Sequence, residues 1–473
     1  MKPIEFGDPN IPEEDRIEFN FGKVSVAVPA ITEENVEYVV SSVTRNAGNY
    51  FSEPDSFEKA RKALENANRA KLAKDSMDEG DVANMLADVT GYSANMIRDF
   101  GLPVFEWFSD LGDFYGMLEE IERRARDKSY HEFFPIKDHL YLKAVGKGKI
   151  KKYKPSDTVA HILSGNVVGY TALPLLMGTA GMPQIIKVSG DEPLSLLLYA
   201  DIIAKEDSNF RKTFAVGYWK GGDERIEEKL FSGNVFVDVM GSNEVIESVE
   251  ERIGRKARMA GHGYKVGFAV VDKNMVNEDV AERLARDISI WDGFACFNVK
   301  NIFVYGDENH AKMLAGMLDK ALKSFSETYP ASFTDAYRTT LMEKFFIYGL
   351  RGYETIVDKD GQYFINIGDD FEPPGMLCRS TNIIPFTDIE RVARKLKEYS
   401  SILQTAVVAA ESEGRAIDIA YFLSDAGATN IHMPGCAHYF EPGEPHDGGY
   451  DLLKAKGVED NLRWTAVNFK TNY

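Results

Sequence analysis

The chain has 473 residues, with 55 Lys and Arg against 74 Asp and Glu, a formal net charge of −19. That length asks for two or three domains with ample core, and the negative balance excludes nucleic-acid binding as the main role. Three cysteines exclude a disulfide framework; no apolar leader stands at the start and no run reaches the length of a membrane span; together these predict a cytoplasmic protein.

Residues 1–60 read as a loosely structured lead-in with short strands such as Lys23–Val28. From Asp55 to about Arg126 apolar residues recur at helical spacing: Phe57, Ala60 and Leu64, then Val82, Met85 and Leu86, then Met117, Ile121 and Ala125. His139–Val145 and Gly148–Tyr153, with Gly146 and Gly148 at the turn, read as a β-hairpin. Such a hairpin serves as an oligomerisation arm or covers the edge of its own sheet. Its basic stretch, Lys147–Lys154, attracts a phosphate-bearing ligand or is a solvated face.

Between residues 158 and 271 strand and helix patterns alternate. Strands are expected at Thr158–Leu163, Gln184–Val188, Phe214–Gly217, Val235–Met240 and Val266–Val271, and helices at Val168–Gly178, Pro193–Ala204 and Glu244–Ile253. Alternation of this kind means βα units and a mainly parallel sheet. Ligands of such sheets bind at the carboxyl ends of the strands. Polar turns fall there: Ser164-Gly165-Asn166, Lys187-Val188-Ser189-Gly190 and Gly241-Ser242-Asn243. Neither GxGxxG nor GxxxxGK[ST] occurs in the chain.

A helical pattern through Val280, Leu284 and Ile288 then runs into Trp-Asp-Gly-Phe-Ala-Cys-Phe-Asn-Val at 291–299, and a strand follows at Asn301–Tyr305. Cys296 thus sits at a helix-to-strand junction between small residues, where a ligand can reach a thiol; the alternative is a packed core cysteine. Beyond it come helices at His310–Thr328, Thr334–Tyr348 and Ile389–Ser400, strands at Thr355–Val357, Tyr363–Ile367 and Asn382–Pro385, and an extended run at Leu403–Ala409. The tail Gly427–Tyr473 is rich in Gly, Pro and His and ends in a strand at Arg463–Phe469.

The order of these turns, then Met240-Gly-Ser-Asn-Glu, then Cys296, resembles the aldehyde dehydrogenase superfamily. His161-Ile-Leu-Ser-Gly-Asn-Val, Ile186-Lys-Val-Ser-Gly-Asp-Glu-Pro, and the tail with Pro434-Gly435, Ala437-His438 and His446-Asp447-Gly448 are similar to its LuxC-type acyl-CoA (acyl-protein) reductases, over roughly residues 135–473. The resemblance implies Cys296 as nucleophile on a thioester carbonyl and Asn166 as a donor to the oxyanion, alongside the Cys296 backbone N–H. From the residues alone, Asn166 is equally an Asx-turn residue capping the next helix. By the same resemblance Lys187 holds the adenosine ribose, whereas a lysine ending an apolar strand otherwise snorkels to the surface. Ser164, Gly165, Ser189, Gly263, and Gly241 and Ser242 at a helix N-terminus complete the implied cofactor site. The usual ribose-binding acid is replaced by Gly190, with Asp191 and Glu192 beyond it, which favours NADPH with NADH as the alternative.

Two departures matter. The Glu-Leu-Gly-Gly-Lys motif that activates water in oxidising relatives aligns with Gly261-His262-Gly263-Tyr264-Lys265. Without that base an acyl-enzyme survives to meet hydride or a thiol; His262 is a candidate acid or base or a packed histidine. The Glu-x-Phe-Gly-Pro motif is replaced by Leu377-Cys378-Arg379-Ser380-Thr381-Asn382. Arg379 there contacts cofactor or acyl carrier, or makes a structural ion pair. In the tail, His432, Cys436, His438, His446 and Asp447 have tolerable metal spacing, but the reading preferred is an acyl entrance shaped by Arg379, His438 and His446, without metal.

The expectation is an α/β, aldehyde dehydrogenase-like protein: 1–137 a helical part of the cofactor domain, 138–155 the β-hairpin arm, 156–272 the nucleotide-binding parallel-sheet domain, 273–432 the catalytic domain, and 433–473 a tail closing the active site and an oligomer interface. Its expected reaction is NADPH-dependent reduction of a long-chain acyl-CoA or acyl-protein thioester to aldehyde, with an acyl-carrier or acyl-protein synthetase as partner and a homo-oligomeric (dimeric or tetrameric) state. The rivals are a CoA-acylating aldehyde dehydrogenase running oxidatively, a non-catalytic nucleotide-binding subunit and a metal-dependent hydrolase.

Overall fold

The computed structural model describes residues 3–67, 79–109, 111, 114–127, 130–147, 150–254, 257–371 and 378–471. The chain forms two compact units, each built from three stretches: Met1–Tyr115, Lys151–Tyr264 and Asp451–Glu459 make the first, and Gly116–Ile150, Lys265–Tyr450 and Asp460–Tyr473 the second. The break after Tyr264 precedes the boundary expected at 272, and the tail is shared between the units.

The first unit holds a five-stranded parallel sheet in the order Arg258–His262, Val235–Met240, Thr158–Ile162, Gln184–Lys187 and Phe214–Gly217. Alternation along Val235–Met240 sends Val235, Val237 and Val239 into one core, with Val36, Val39 and Val43 of the helix Val36–Phe51 and Val249 and Ile253 of the helix Asn243–Ile253. Asp238 faces the other way, in register with His161. The edge strand Arg258–His262 was not expected from sequence, because Arg-Met-Ala-Gly-His has no apolar alternation; its five ladder pairs to Val235–Met240 define it.

The lead-in is tighter than expected. Ile4–Glu5, Arg16–Asn20 and Ser25–Pro29 form a small sheet, and buried Asp8 accepts from Arg211 Nη2 at 2.6 Å and from the Val216 amide at 2.8 Å. The helix expected at Val168–Gly178 is a 3₁₀ turn, Tyr170–Ala172, and a short helix, Leu175–Thr179. Gly169 breaks it: its φ is +85°, and a Cβ there would stand 2.6 Å from the Gly101 carbonyl oxygen.

The second unit is organised by a ten-stranded sheet. Seven of its strands, from Phe364–Ile367 at one side to Arg463–Asn468 at the other, run parallel. Phe268, Val270, Ala406, Val408 and Ile431 fill its core against Ile419, Ala420 and Leu423 of the helix Glu413–Ala426, which sequence patterning passed over.

The expected hairpin over 138–155 does not pair with itself. Leu140–Val145 lies antiparallel between Phe134–Lys137 and Arg463–Asn468, whereas Lys151–Lys152 pairs with Val458–Glu459. Each half finds a distant strand with a matching face, which no local turn signal reveals; Gly148, at the expected turn, lies outside the described residues. Among the described residues no helix is long and apolar enough to cross a membrane.

Candidate functional site

In the first unit, the loops expected to hold a cofactor do gather at the carboxyl ends of the parallel strands. A Cβ on Gly165 would stand 2.7 Å from Ser189 Oγ and 3.0 Å from the Glu192 amide, so the loops after Thr158–Ile162 and Gln184–Lys187 touch backbone to backbone. Asn166 sits in the loop after Thr158–Ile162. Its Oδ1 accepts from Ser164 Oγ at 2.8 Å and its carbonyl from Tyr92 at 2.8 Å, which fixes the direction the amide faces.

Lys187 is buried rather than snorkelling, with Nζ 4.8 Å from the Tyr218 ring centroid. Burial pushes its pKa down, against the pull of Glu227 and Asp191. Ser242 caps the helix Asn243–Ile253 by accepting from the Val245 amide, and Gly241 donates its amide to the His262 carbonyl at 3.1 Å. Gly263 lets the chain pass that helix start, where a Cβ would meet Asn243 Oδ1 at 2.3 Å.

Sequence reasoning missed the role of Glu192. It turns inward, accepts from the Leu194 and Ser195 amides at 2.9 and 2.8 Å and from Ser195 Oγ at 2.5 Å, and so caps the helix Leu194–Glu206. Burial raises its pKa to about 7. Glu192-Pro-Leu-Ser runs in the reverse order of a capping box, so no standard helix-start motif announced it.

His262 is buried, its Nε2 3.2 Å from Asp238 Oδ1 and 3.1 Å from Asp451 Oδ2. Neighbouring Gly261 faces Ile246, and a Cβ there would stand 2.8 Å from Ile246 Cγ2.

In the second unit, the three cysteines separate cleanly. Cys378 and Cys436 are buried, and Cys296 is partly open; burial pushes the Cys378 thiol up to about 11 and that of Cys436 to about 12. Cys296 follows the helix Glu278–Ser289 through a turn in which Trp291 and Asp292 take φ of 53° and 51° and Gly293 takes 77°. A run of left-handed residues that includes a tryptophan is costly, on the order of 1–3 kcal/mol per residue, and persists only when its surroundings enforce it.

Those surroundings are on every side of the loop. Asn298 Oδ1 accepts from the Ala295 amide at 2.7 Å, while its Nδ2 donates to the Asp287 and Ile290 carbonyls at 3.0 Å. Lys300 Nζ donates to the Gly293 carbonyl at 2.7 Å and to that of Cys378; burial lowers its pKa to about 8. Arg379 Nε and Nη2 donate to Asp292 Oδ1 at 3.1 and 2.5 Å, Nη1 to Ser326 and Nη2 to the Tyr329 carbonyl. Arg379 has no exposed surface. It is the structural ion pair and not an entrance contact; Leu377, which opened the motif it was read from, lies outside the described residues.

The tail reaches the same helix. Asp287 accepts from the Gly435 amide at 2.6 Å and the Ala437 amide at 3.0 Å, and Phe440 packs on Phe297 with centroids 5.8 Å apart. His438 is buried, and burial, reinforced by Arg286 and His432, lowers its pKa to about 3. It is a neutral packed imidazole, not an exposed entrance group. His432 is paired with Glu444 at 3.2 Å, and among the described residues His432, Cys436 and His438 do not bring their ligand atoms together. His446 is half-buried in a turn in which its amide and the Gly449 carbonyl, and the reverse pair, bond at 2.9 Å.

A parallel nucleotide-type sheet in one unit, and in the other a partly open cysteine on a clamped helix-to-strand loop, define an aldehyde dehydrogenase-like enzyme. Aldehyde dehydrogenase 21 of Physcomitrella patens, solved with the reaction product succinate, superposes with TM-score 0.68 at 14% identity over 100% of both chains. An indole-3-acetaldehyde dehydrogenase of P. syringae, solved with NAD⁺, gives 0.63 at 13% identity over 96% of this chain and 94% of that one. The acyl-CoA reductase (LuxC) family profile matches residues 122–455, and the chain belongs to that family. A long-chain acyl-protein thioester reductase of Photorhabdus laumondii is 24% identical over 345 residues, 70% of this chain and 68% of that protein. Membership makes the chain an oxidoreductase of acyl or aldehyde groups.

Proposed function

We propose that this protein reduces a long-chain acyl thioester, carried on CoA or on a protein, to the aldehyde, with Cys296 as the nucleophile and a nicotinamide cofactor, NADPH in preference to NADH, as reductant. The observation that carries the reading is the partly open Cys296 on its clamped loop, inside the stretch the family profile covers.

The Cys296 thiolate adds to the thioester carbonyl; the tetrahedral oxyanion collapses, the donor thiolate leaves and takes a proton, and the acyl group stays on Sγ. The Cys296 amide is a donor we assign to that oxyanion. When bound, the reduced cofactor supplies a hydride to the acyl carbon. The Cys296 thiolate is then expelled and the aldehyde released, so that acyl-SR, NADPH and H⁺ become aldehyde, HSR and NADP⁺. Hydrolysis is disfavoured because the position of the water-activating glutamate is Gly261, whose Cβ direction is occupied by Ile246. The cofactor preference is supported by Glu192, which is spent on capping a helix and does not present a carboxylate to ribose hydroxyls.

Ser164, Gly165, Lys187, Ser189, Gly241, Ser242 and Gly263 are the residues we assign to the cofactor. The close approach of the Gly165 and Ser189 loops fits a ligand gripped by backbone amides. An acyl-activating synthetase, a homo-oligomer and a cytoplasmic location complete the proposal.

The test is a single turnover with decanoyl-CoA, and then a range of chain lengths, reading intact mass before and after NADPH or NADH. An acyl mass on Cys296 that NADPH clears with aldehyde release supports the reading. Full thioester reduction by Cys296→Ala sinks it.

A further inference from the structure

The chemistry above leaves one buried cluster unused. At the carboxyl side of the nucleotide sheet, Asp238, His262 and Asp451 converge, all three buried. They come from the strand Val235–Met240, the strand Arg258–His262 and the start of the helix Asp451–Ala455. His262 Nε2 lies 3.2 Å from Asp238 Oδ1 and 3.1 Å from Asp451 Oδ2.

One imidazole nitrogen carries at most one hydrogen, so it cannot serve both oxygens with a straight hydrogen bond. Both distances also exceed the roughly 2.7–2.9 Å of a charge-assisted N–H···O bond. Nitrogen and oxygen ligands held at about 2.0–2.2 Å by a four-coordinate ion stand about 3.3–3.6 Å apart, so shifts of a few tenths of an ångström would seat one among these atoms.

The outer atoms are arranged as supporting partners of such a centre. Asp238 Oδ2 is 2.9 Å from His161 Nδ1, and Gln184 Nε2 donates to His161 Nε2 at 3.0 Å, which places the His161 proton on Nδ1, toward the carboxylate. Lys454 Nζ lies 3.1 Å from Asp451 Oδ1.

We propose that Asp238, His262 and Asp451 bind one divalent cation, Zn²⁺ by the mixture of one imidazole and two carboxylates, and that the ion fastens the segment Asp451–Glu459 to the nucleotide sheet. The site is structural, since the reaction uses none of these residues. It does not depend on the assignment of Cys296.

The probe is Zn²⁺ itself. Full-length protein is stripped with a chelator, then titrated calorimetrically with ZnCl₂ and analysed for metal content. One equivalent bound, a melting temperature raised by several degrees, and loss of both in Asp451→Asn and Asp238→Asn are expected. Should the variants not fold, the visible spectrum of the Co²⁺-loaded wild type decides: weak bands of a nitrogen- and oxygen-ligated ion support the site. A strong thiolate charge-transfer band, no stoichiometric binding, or unaltered binding in folded variants would overturn it and leave His262 lying between two carboxylates.

Discussion

Arg379→Met tests how the nucleophile loop is held. Arg379 and Asp292 are both buried and share two hydrogen bonds, and two further bonds tie the guanidinium to Ser326 and Tyr329. Burial pulls the pKa of Arg379 down and that of Asp292 up, each opposed by its partner, so the pair is a compensated cost rather than a source of net stability. Removing one partner strands the other charge, at about 3–5 kcal/mol. It also releases a turn whose Trp291 and Asp292 lie in the left-handed region. Urea denaturation followed by circular dichroism reads the stability, and the iodoacetamide labelling rate of Cys296 below the transition reads the loop. We expect a loss of about 3–5 kcal/mol and altered labelling for the single variant. Asp292→Asn combined with Arg379→Met should recover more than half of that loss, since no charge is left stranded and asparagine tolerates positive φ. A single variant within about 0.5 kcal/mol of wild type would show that the pair does not hold the loop.

Further expectations follow from single residues. Gly293→Ala places a Cβ 2.1 Å from the Cys378 carbonyl oxygen at φ +77°, so acylation of Cys296 should fall to background even where a far-UV spectrum shows folded protein. Gly261→Glu should not create a hydrolase, because the side chain meets Ile246; it should cost roughly 1–3 kcal/mol of stability and release no fatty acid in a product assay. Lys187→Ala should weaken cofactor binding at least tenfold by fluorescence titration, with no change in the denaturation midpoint beyond that of a buried side chain. Glu192 has a folded pKa raised to about 7 from 4.5. Its folded form holds the proton longer, so its contribution is complete below about pH 4.5 and is lost as pH rises through about 7. Glu192→Gln should therefore lack a fall of roughly 2–3 kcal/mol seen for wild type between pH 5 and 8.

Much of this was legible in the residues. The βα alternation from 158 to 271 placed four of the five strands of the nucleotide sheet and the turns at their ends, because a parallel sheet buried on both faces writes itself as apolar runs. The exposure of Cys296 relative to Cys378 and Cys436 was readable from its place between a helix and a strand. What sequence could not show was pairing at a distance. Leu140–Val145 looked like half of a hairpin because its true partner, Arg463–Asn468, is more than three hundred residues away. For Arg379 the residues left a cofactor or carrier contact and a structural ion pair both open, and buried Asp292 decides for the pair; His438 was read at the entrance because polar types are usually exposed, and only its burial shows it to be internal. Arg258–His262 carries too weak a pattern to be a strand until its neighbour is known.

The place of Arg463–Asn468 inside the second sheet bears on the order of events during synthesis. This strand is bonded on one side to Asn430–His432 and on the other to Leu140–Val145. Until it has left the ribosome, Phe134–Lys137 and Leu140–Val145 have no link to the rest of the ladder, and both sides of the gap expose unsatisfied strand edges. At about 5–20 residues per second that interval lasts on the order of 15–60 s after residue 145 appears. The nascent chain therefore has a long window in which a chaperone, or another copy of the same chain, can take the vacant lane.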